Sequence, residues 1–425
     1  MSTPTTLDGW LAYLATLHPK AIALGLDRVH AVYARLGIGF TCPAIIVAGT
    51  NGKGSTCALL ERMLAAGGYR VGLYTSPHLL RYNERVRVSG VDASDADLCH
   101  AFAAVEAVRA DTALTYFEFG TLAALWLFAR AGVAALVLEV GLGGRLDAVN
   151  IIDADVAIVS SIAIDHVDYL GATREAIGRE KAGIFRAGRV AICADRDPPQ
   201  ALLDHARAIG ANLLRLGVDY DFTVSGPQWT YRGPGGARHG LPHPALRGDY
   251  QLANAATALT AVDALRARLP IGMGAVRAAL VEVELPGRCQ VLPGRPVRVL
   301  DVAHNTQAAR ALAANLGAMG SYPITRAVFG IMADKDIDGV IAALLPRVDA
   351  WLVATLPPPR GATSALLRQQ LEAAGVAPAA MHEFGDPATA YHAALGASAE
   401  ADRIVVFGSF QTVAAALSAR HGAVA

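Results

Sequence analysis

The chain lacks an excess of charge of either sign. Among its 425 residues, Lys+Arg and Asp+Glu number 37 each, so the formal net charge at pH 7 is zero. Proteins that attract nucleic acid or an anionic membrane through their overall field carry a basic excess. This composition provides no such field, and any anionic ligand must be held by a local site.

Cysteine is scarce and widely spaced. No two cysteines form the C-x-x-C pair that is typical of zinc and redox sites. The pattern indicates free thiols in a reducing cytosol and argues against a zinc site. The five residues are Cys42, Cys57, Cys99, Cys193 and Cys289.

Targeting and membrane-spanning segments are also missing from the pattern. The N-terminus has no basic region before an apolar core, and residues 7–17 instead place leucines and Trp10 on one face of an ordinary helix. The most membrane-like stretch, residues 122–140, is interrupted by Arg130 and Gly132, which indicates a helix followed by a buried strand. We expect a cytoplasmic monomer that contacts neither membrane nor nucleic acid.

The chain does possess one distinctive glycine-rich loop, residues 49–55, with the sequence GTNGKGS. The loop follows an apolar run, which predicts a buried strand, and precedes a helical pattern. In nucleotide-binding proteins this is the position at which a phosphate meets the N-terminus of a helix. Glycines let backbone N–H groups approach phosphate oxygens, and Lys53 supplies positive charge to the β- and γ-phosphates. The predicted nucleotide-binding residues are Thr50, Asn51, Gly52, Lys53, Gly54 and Ser55.

The spacing of this loop departs from the standard P-loop. Lys53 is followed by Gly54, where a hydroxyl residue normally helps to hold magnesium. Either Ser55 takes that role or another residue supplies the metal ligand. The alternative to a nucleotide site is a glycine turn that binds no ligand. The lysine between two glycines argues against this alternative.

The order of apolar runs predicts two α/β domains, because the chain is longer than one hydrophobic core usually serves. Up to residue 193, strands alternate with helices as in a parallel sheet covered on both faces, and residues 220–243 predict a β-hairpin insert. Proline and glycine cluster at residues 285–296, after which a smaller alternation begins. We predict a P-loop parallel-sheet ATPase domain over residues 1–295 and a Rossmann-like domain over residues 296–425.

Polar residues follow several predicted strands at the edge where open parallel sheets bind ligands. Ser76 and His166 come after two such strands, and Glu139 lies within an apolar strand. A carboxylate in a buried strand is costly unless it is paired or binds a metal. Taken singly, Glu139 could pair with an arginine, Ser76 could cap a turn and His166 could be a solvated loop residue. Their common position predicts a metal site.

Five motifs, in the same order across both domains, resemble those of the dihydrofolate synthase/folylpolyglutamate synthase family. The motifs are residues 49–55, 75–78, 139–147, 179–184 and 301–305. The family belongs with the Mur ligases, which activate a carboxylate with ATP and couple it to an amino acid. The resemblance implies a bifunctional enzyme that joins L-glutamate to 7,8-dihydropteroate and to reduced folates through an acyl phosphate.

The resemblance also implies a metal centre and a modified lysine. Ser76, Glu139 and His166 would hold two Mg²⁺ ions. Lys181, which the pattern alone presents as an ordinary helix-surface lysine, would be carbamylated by CO₂. The implied catalytic residues are Lys53, Glu139, His166, Lys181 and His304.

Further family positions imply contacts to the substrates. The family positions that contact ATP correspond to Asn254, Arg288 and Asp301. The resemblance therefore implies that the nucleotide binds in a cleft between the two domains. His304 resembles a position near the incoming glutamate. An aromatic pair and a carboxylate suit a flat pterin, although the residues alone favour core packing for Tyr116 and Phe117. The positions that match the dihydropteroate site are Gly25, Leu26, Asp27, Arg28, Thr115, Tyr116, Phe117, Glu118, Leu146, Asp147 and Ala148.

Three other functions stay open at this point. The chain could be a folylpolyglutamate synthase only, or a Mur-type ligase acting on a UDP-linked sugar acid, although Gly54 and residues 115–118 count against the latter. It could also be a P-loop switch or assembly ATPase. ATP turnover that strictly requires a carboxylate and an amino acid would exclude the switch.

Overall fold

The computed structural model describes residues 4–20 and 22–421, which form two compact units. The first unit comprises the described residues up to 245 together with residues 251–283, and the second comprises residues 246–250 and those from 284 onward. The predicted domain boundary between residues 295 and 296 stays a prediction. Within the described ranges, every helix is too short or too polar to cross a membrane.

The first unit is built on an eight-stranded sheet with the order β4-β3-β2-β5-β1-β6-β7-β8. The strands are β1 (Ala44–Ala48), β2 (Val71–Tyr74), β3 (Val86–Val88), β4 (Val91–Asp92), β5 (Ala135–Glu139), β6 (Val156–Val159), β7 (Val190–Cys193) and β8 (Asn212–Arg215). The helices are α1 (Leu7–Leu14), α2 (Asp27–Leu36), α3 (Lys53–Ala66), α4 (Asp95–Arg109), α5 (Tyr116–Ala131), α6 (Val167–Leu170), α7 (Arg174–Ala182), α8 (Gln200–Ile209), α9 (Tyr250–Ala264) and α10 (Met273–Glu282). Short 3₁₀ helices cover Tyr82–Arg85 and Ala148–Ile151.

The central strands of this sheet are parallel and buried along their whole length, which explains their unbroken apolar runs. These strands confirm the predicted parallel sheet to within one or two residues at each end. The antiparallel strands β3 and β4 at one side of the sheet and the edge strand β8 at the other were not predicted. Their side chains are largely half-buried or exposed, so their sequences carry no strong apolar pattern.

The predicted β-hairpin insert is present, and a third strand extends it. Residues 221–242 form a three-stranded antiparallel sheet of β9 (Asp221–Ser225), β10 (Gln228–Gly233) and β11 (Gly236–Pro242). The predicted hairpin is β10 with β11, which turns at residues 234 and 235. The additional strand β9 has no buried residue of its own, so its pattern does not separate it from a loop.

The second unit has a six-stranded sheet with the order β12-β13-β17-β14-β15-β16, parallel except for the edge strand β12. The strands are β12 (Gln290–Leu292), β13 (Val297–Leu300), β14 (Thr325–Phe329), β15 (Ala350–Ala354), β16 (Met381–Phe384) and β17 (Arg403–Phe407). The helices are α11 (Thr306–Ala318), α12 (Ile337–Leu344), α13 (Ser364–Ala373), α14 (Pro387–Ala397) and α15 (Phe410–His421). Stacked Phe329 and Phe407 rings, with centroids 4.8 Å apart, lie in its core. This arrangement confirms the predicted α/β class.

One glycine in the first sheet leaves room for a helix above it. A Cβ at Gly72 in β2 would come 2.8 Å from the ring of Phe128 on α5. We expect Gly72→Ala to lower the free energy of unfolding by about 1–3 kcal/mol because the packed ring must shift. Gly274→Ala on α10, where a Cβ meets nothing within 4 Å, is the matched control and should raise it by up to about 1 kcal/mol. Urea titrations of both variants test this, and equal stability of the two would contradict it.

Candidate active site

The glycine-rich loop connects β1 to α3, as the sequence predicts. Gly52 caps the helix with φ of 90°, and α3 begins at Lys53. A Cβ at Gly52 would lie 2.8 Å from Asn254 Oδ1, and one at Gly49 would lie 1.8 Å from Ser160 Oγ. The glycines therefore allow α9 and the segment after β6 to approach the loop, in addition to leaving its backbone accessible to phosphate.

Two lysines converge on this loop. Lys53 Nζ donates to the carbonyl oxygens of Gly49 (3.1 Å) and Thr50 (3.3 Å). Lys181 Nζ donates to the same Gly49 carbonyl at 2.8 Å. Two lysine side chains thus share one acceptor beside the loop, and the charge of Lys53 suits a polyanion such as a nucleotide triphosphate.

Lys181 is not the helix-surface lysine that its sequence pattern suggests. It is only 4% exposed. Burial, and next the positive charge of Lys53, lower the pKa of Lys181 from 10.5 to about 7. The last turn of α7 reaches the loop because Gly144 lacks a side chain: a Cβ there would lie 2.9 Å from the carbonyl oxygens of Glu180 and Lys181.

The structure places the predicted metal ligand Glu139 against the backbone of Ser76. Glu139 ends β5 and is 5% exposed, and its Oε2 accepts a hydrogen bond from the backbone N–H of Ser76 at 3.2 Å. They meet because β2 and β5 are parallel neighbours. His166 follows β6, is half-buried, and has a left-handed backbone with φ of 52° directly before α6.

The oxygen-bearing side chains at the carboxyl ends of β2 and β5 suit a hard cation such as Mg²⁺, which binds further ligands besides the protein. Among the described residues, no group of three or more His, Cys, Asp or Glu side chains could by itself hold a metal ion. Mg²⁺ is commonly held by one or two carboxylates together with water and substrate phosphates. A single buried carboxylate beside a serine and a phosphate loop fits that pattern.

The three segments predicted to bind dihydropteroate lie together. Gly25 N–H donates to the Leu146 carbonyl (3.3 Å), and Arg28 forms an ion pair with Glu118 (2.8 Å). The Glu118 carboxylate also accepts from the N–H of Thr115 at 2.7 Å. Glu118 is therefore occupied within the protein, and it fixes the segments to one another.

The aromatic pair of the second segment is half-buried, so its rings are not confined to the core. Phe117 packs against Gly141, where a Cβ would lie 2.7 Å from the ring, and its centroid is 5.8 Å from that of Tyr74. Tyr116 meets the ring of Tyr82 edge-on at 5.8 Å. Both rings keep exposed area that could contact a flat ligand.

Asp147 lies at the start of the 3₁₀ helix in the third segment. Its carboxylate accepts hydrogen bonds from the N–H groups of Leu142 (2.9 Å) and Val149 (3.1 Å). Burial raises the pKa of Asp147 to about 6, although these backbone donors oppose the shift. The neighbouring positions are Leu26, half-buried before α2; Asp27, exposed at its first residue; and Ala148, buried.

The second unit gathers the remaining predicted residues. Asp301 directly follows β13, and its buried carboxylate accepts from the N–H groups of Cys289 and Ala303 at 2.8 Å each. Burial raises the pKa of Asp301. The Arg288 guanidinium lies 5.1 Å from the centroid of Phe410, and the His304 ring centroid lies 6.4 Å from it.

Sequence reasoning missed Gln251. Its side-chain amide donates to Ser55 Oγ (3.2 Å), and its oxygen accepts from Asn254 Nδ2 (2.9 Å). Gln251 and Asn254 are three residues apart on one face of the alanine-rich helix α9, and that buried polar pair was the available signal. Ser55 is 2% exposed and already engaged by Gln251.

Comparisons with known proteins agree along the whole chain. Residues 47–262 match the Mur ligase middle domain, and residues 287–410 match the Mur ligase glutamate ligase domain. The chain is 46% identical over 409 residues to the dihydrofolate synthase/folylpolyglutamate synthase of Escherichia coli (strain K12), which covers 96% of this chain and 94% of that protein.

Two solved structures share the fold closely. E. coli FolC in complex with DHPP and ADP superposes with a TM-score of 0.94 at 44% identity and covers 100% of both chains. A bifunctional folylpolyglutamate synthase/dihydrofolate synthase with Mn, AMPPNP and L-glutamate bound gives a TM-score of 0.91 at 45% identity, covering 99% of this chain and 100% of that one.

The buried Lys181 makes stability depend on pH in a defined direction. The folded state disfavours the ammonium form, so the unfolded chain binds more protons between pH 7 and 10.5, and stability rises across that window. We expect Lys181→Met to be more stable than the wild type at pH 6 and to lose this advantage as the pH rises toward 10. Urea titrations in CO₂-free buffer measure it. Lys20→Met, at an exposed position, is the control, and identical pH profiles for wild type and Lys181→Met would refute the assignment.

Proposed function

This chain belongs to the dihydrofolate synthase/folylpolyglutamate synthase family of Mur ligases, and we propose that it joins L-glutamate to 7,8-dihydropteroate and to reduced folates with conversion of ATP to ADP and phosphate. The observation that carries the proposal is the convergence of Lys53 and Lys181 on the Gly49 carbonyl. The AMPPNP, Mn and L-glutamate named for one structural relative, and the ADP named for another, support the same chemistry.

The reaction takes two steps. A carboxylate oxygen of the acid substrate attacks the γ-phosphorus of ATP, and the bond between that phosphorus and the β,γ-bridging oxygen breaks. ADP is the leaving group, and the product is an acyl phosphate. The amino group of glutamate then attacks the acyl carbon, phosphate leaves, and the nitrogen loses a proton. Lys53 neutralises charge on the transferring phosphoryl group, so catalysis is mainly positioning and electrostatics.

Ser76, Glu139 and His166 are the residues that we propose to hold the divalent cation, with two Mg²⁺ ions as the expected complement. When bound, the metal neutralises phosphate charge and orients the phosphates. Glu139 is well suited because its carboxylate is buried at the end of β5 beside Ser76. Ser55 is less suited because its hydroxyl already contacts Gln251.

Lys181 is proposed to carry a carbamate. A neutral amine attacks CO₂, the C–N bond forms, and a proton is released, so a lysine must lose its charge first. A pKa of about 7 supplies the neutral amine near neutral pH. The product is an anion that a nearby metal would stabilise.

The remaining predicted residues keep their proposed roles. Asn254, Arg288 and Asp301 stay proposed contacts of the nucleotide, and His304 stays a proposed contact of glutamate. The linked segments around Gly25, Tyr116 and Asp147 are proposed to bind the pterin. The expected state is a cytoplasmic monomer, with which the five unpaired thiols agree.

Lys53→Ala should abolish both ligation reactions while leaving the fold intact, because a half-buried loop lysine contributes little packing. The assay supplies dihydropteroate or tetrahydrofolate with ATP, Mg²⁺ and glutamate, and follows glutamylated product and ADP. We expect kcat to fall at least a hundredfold, since one charge-assisted contact to transferring phosphate accounts for about 10²–10³. Lys20→Ala is the control. Absence of either product in the wild type, or near-normal turnover in folded Lys53→Ala, would reject the assignment.

Asp147→Ala should harm dihydropteroate addition more than folate elongation, because it disrupts the pterin segment while both reactions share one phosphoryl transfer. Asp147→Asn, which keeps an oxygen to accept one of the two backbone hydrogen bonds, should retain more activity. Steady-state kinetics with each acid substrate separate the two effects. An equal loss in both reactions would make Asp147 a structural or shared residue.

A further inference from the structure

Arg85 lies between two sets of residues that the proposed function uses. Its carbonyl accepts the N–H of Thr75 at 3.0 Å, directly before Ser76. Its guanidinium carbon lies 5.6 Å from the ring centroid of Tyr116 in the second pterin segment. Arg85 is therefore linked through its backbone to the segment that carries Ser76 and lies through its side chain beside a ring of the second pterin segment.

The Arg85 guanidinium is held in place by contacts that leave its charge unbalanced. It lies 5.2 Å from the centroid of Tyr82 as well as beside Tyr116, and these two rings are nearly perpendicular at 81°. Cation–π contacts of this kind fix the plane of a guanidinium without neutralising it.

His78 fixes the remaining orientation of the guanidinium. Arg85 Nε donates to His78 Nδ1 at 2.8 Å, so Nδ1 is the acceptor and the ring proton resides on Nε2. This hydrogen bond fixes the guanidinium relative to the His78 ring.

The carboxylate nearest in sequence is committed elsewhere. Glu84 accepts the backbone N–H groups of Leu79, Leu80 and Arg81 at 2.6–2.8 Å, which makes residues 79–84 a fixed turn. Within residues 4–20 and 22–421, the ion pairs include none to Arg85, and its two terminal nitrogens make no hydrogen bond to the protein. A planar, half-buried fork with free N–H groups is the group that best matches a carboxylate.

We propose that Arg85 binds the carboxylate of dihydropteroate, with His78 as its positioning residue. The inference rests on the proposed function and adds the residue that recognises the reacting group. Phe117 and Tyr116 would contact the flat part of the substrate, and Arg85 its acidic end.

The test compares binding of dihydropteroate with binding of its carboxamide, each measured at equilibrium with AMPPNP and Mg²⁺ present. The wild type should prefer the acid about ten- to hundredfold, the range for hydrogen bonds to a charged group. Arg85→Gln should bring the ratio close to one while carboxamide affinity is retained. Arg81→Gln is the matched control, because Arg81 is an exposed arginine on the same turn and pairs with Asp95.

Variants of His78 separate positioning from packing. His78→Asn keeps an acceptor near the place of Nδ1 and should retain most of the acid preference, whereas His78→Phe should lose a large part of it. The proposal is overturned if Arg85→Gln keeps the wild-type ratio, or if it weakens both ligands equally, which marks a structural role. Failure of the wild type to bind either ligand would instead count against the proposed function.

Discussion

The hydrogen bond from the Lys181 ammonium to the Gly49 carbonyl is the contact on which the arrangement of the phosphate loop depends. It places a second cation beside Lys53 and draws the end of α7 against the loop. An isolated ammonium in such a buried position is unfavourable, and the lowered pKa of Lys181 expresses that cost. The cost is relieved by loss of a proton, by modification, or by arrival of an anion. All three outcomes are useful to an enzyme that must hold a triphosphate.

That contact in turn explains the glycines after β5. Gly144 in the connection after β5 and Gly183 at the end of α7 allow these two segments to pack together; a Cβ at Gly183 would come 2.3 Å from the Cβ of Arg145. The same loop carries Asp147 toward the pterin segments. A single glycine-rich connection thereby contacts the helix that carries Lys181 and also carries Asp147, the carboxylate that we propose to bind the pterin.

Much of this site followed from sequence because its determinants are local. A glycine-rich loop between an apolar strand and a helix predicts a phosphate site, and the ends of parallel strands predict where Ser76 and Glu139 meet. The burial of Lys181 did not follow, because it arises from the approach of α7 to a loop 132 residues earlier. The pairing of Glu118 with Arg28, and the contact of Gln251 with Ser55, were missed for the same reason. Long-range partners leave only a weak trace in a single sequence.

Gly52 and Asn254 illustrate how such long-range packing constrains evolution. The absence of a Cβ at Gly52 accommodates the Asn254 amide, which in turn contacts Gln251. Substitution of this glycine would therefore disturb a helix face as well as the proposed phosphate contacts. A side chain at Gly52 would both meet the Asn254 amide and strain a backbone with φ of 90°. Within the family the two positions should vary together, and loss of nucleotide binding after mutation of the loop is not by itself a measure of phosphate contact.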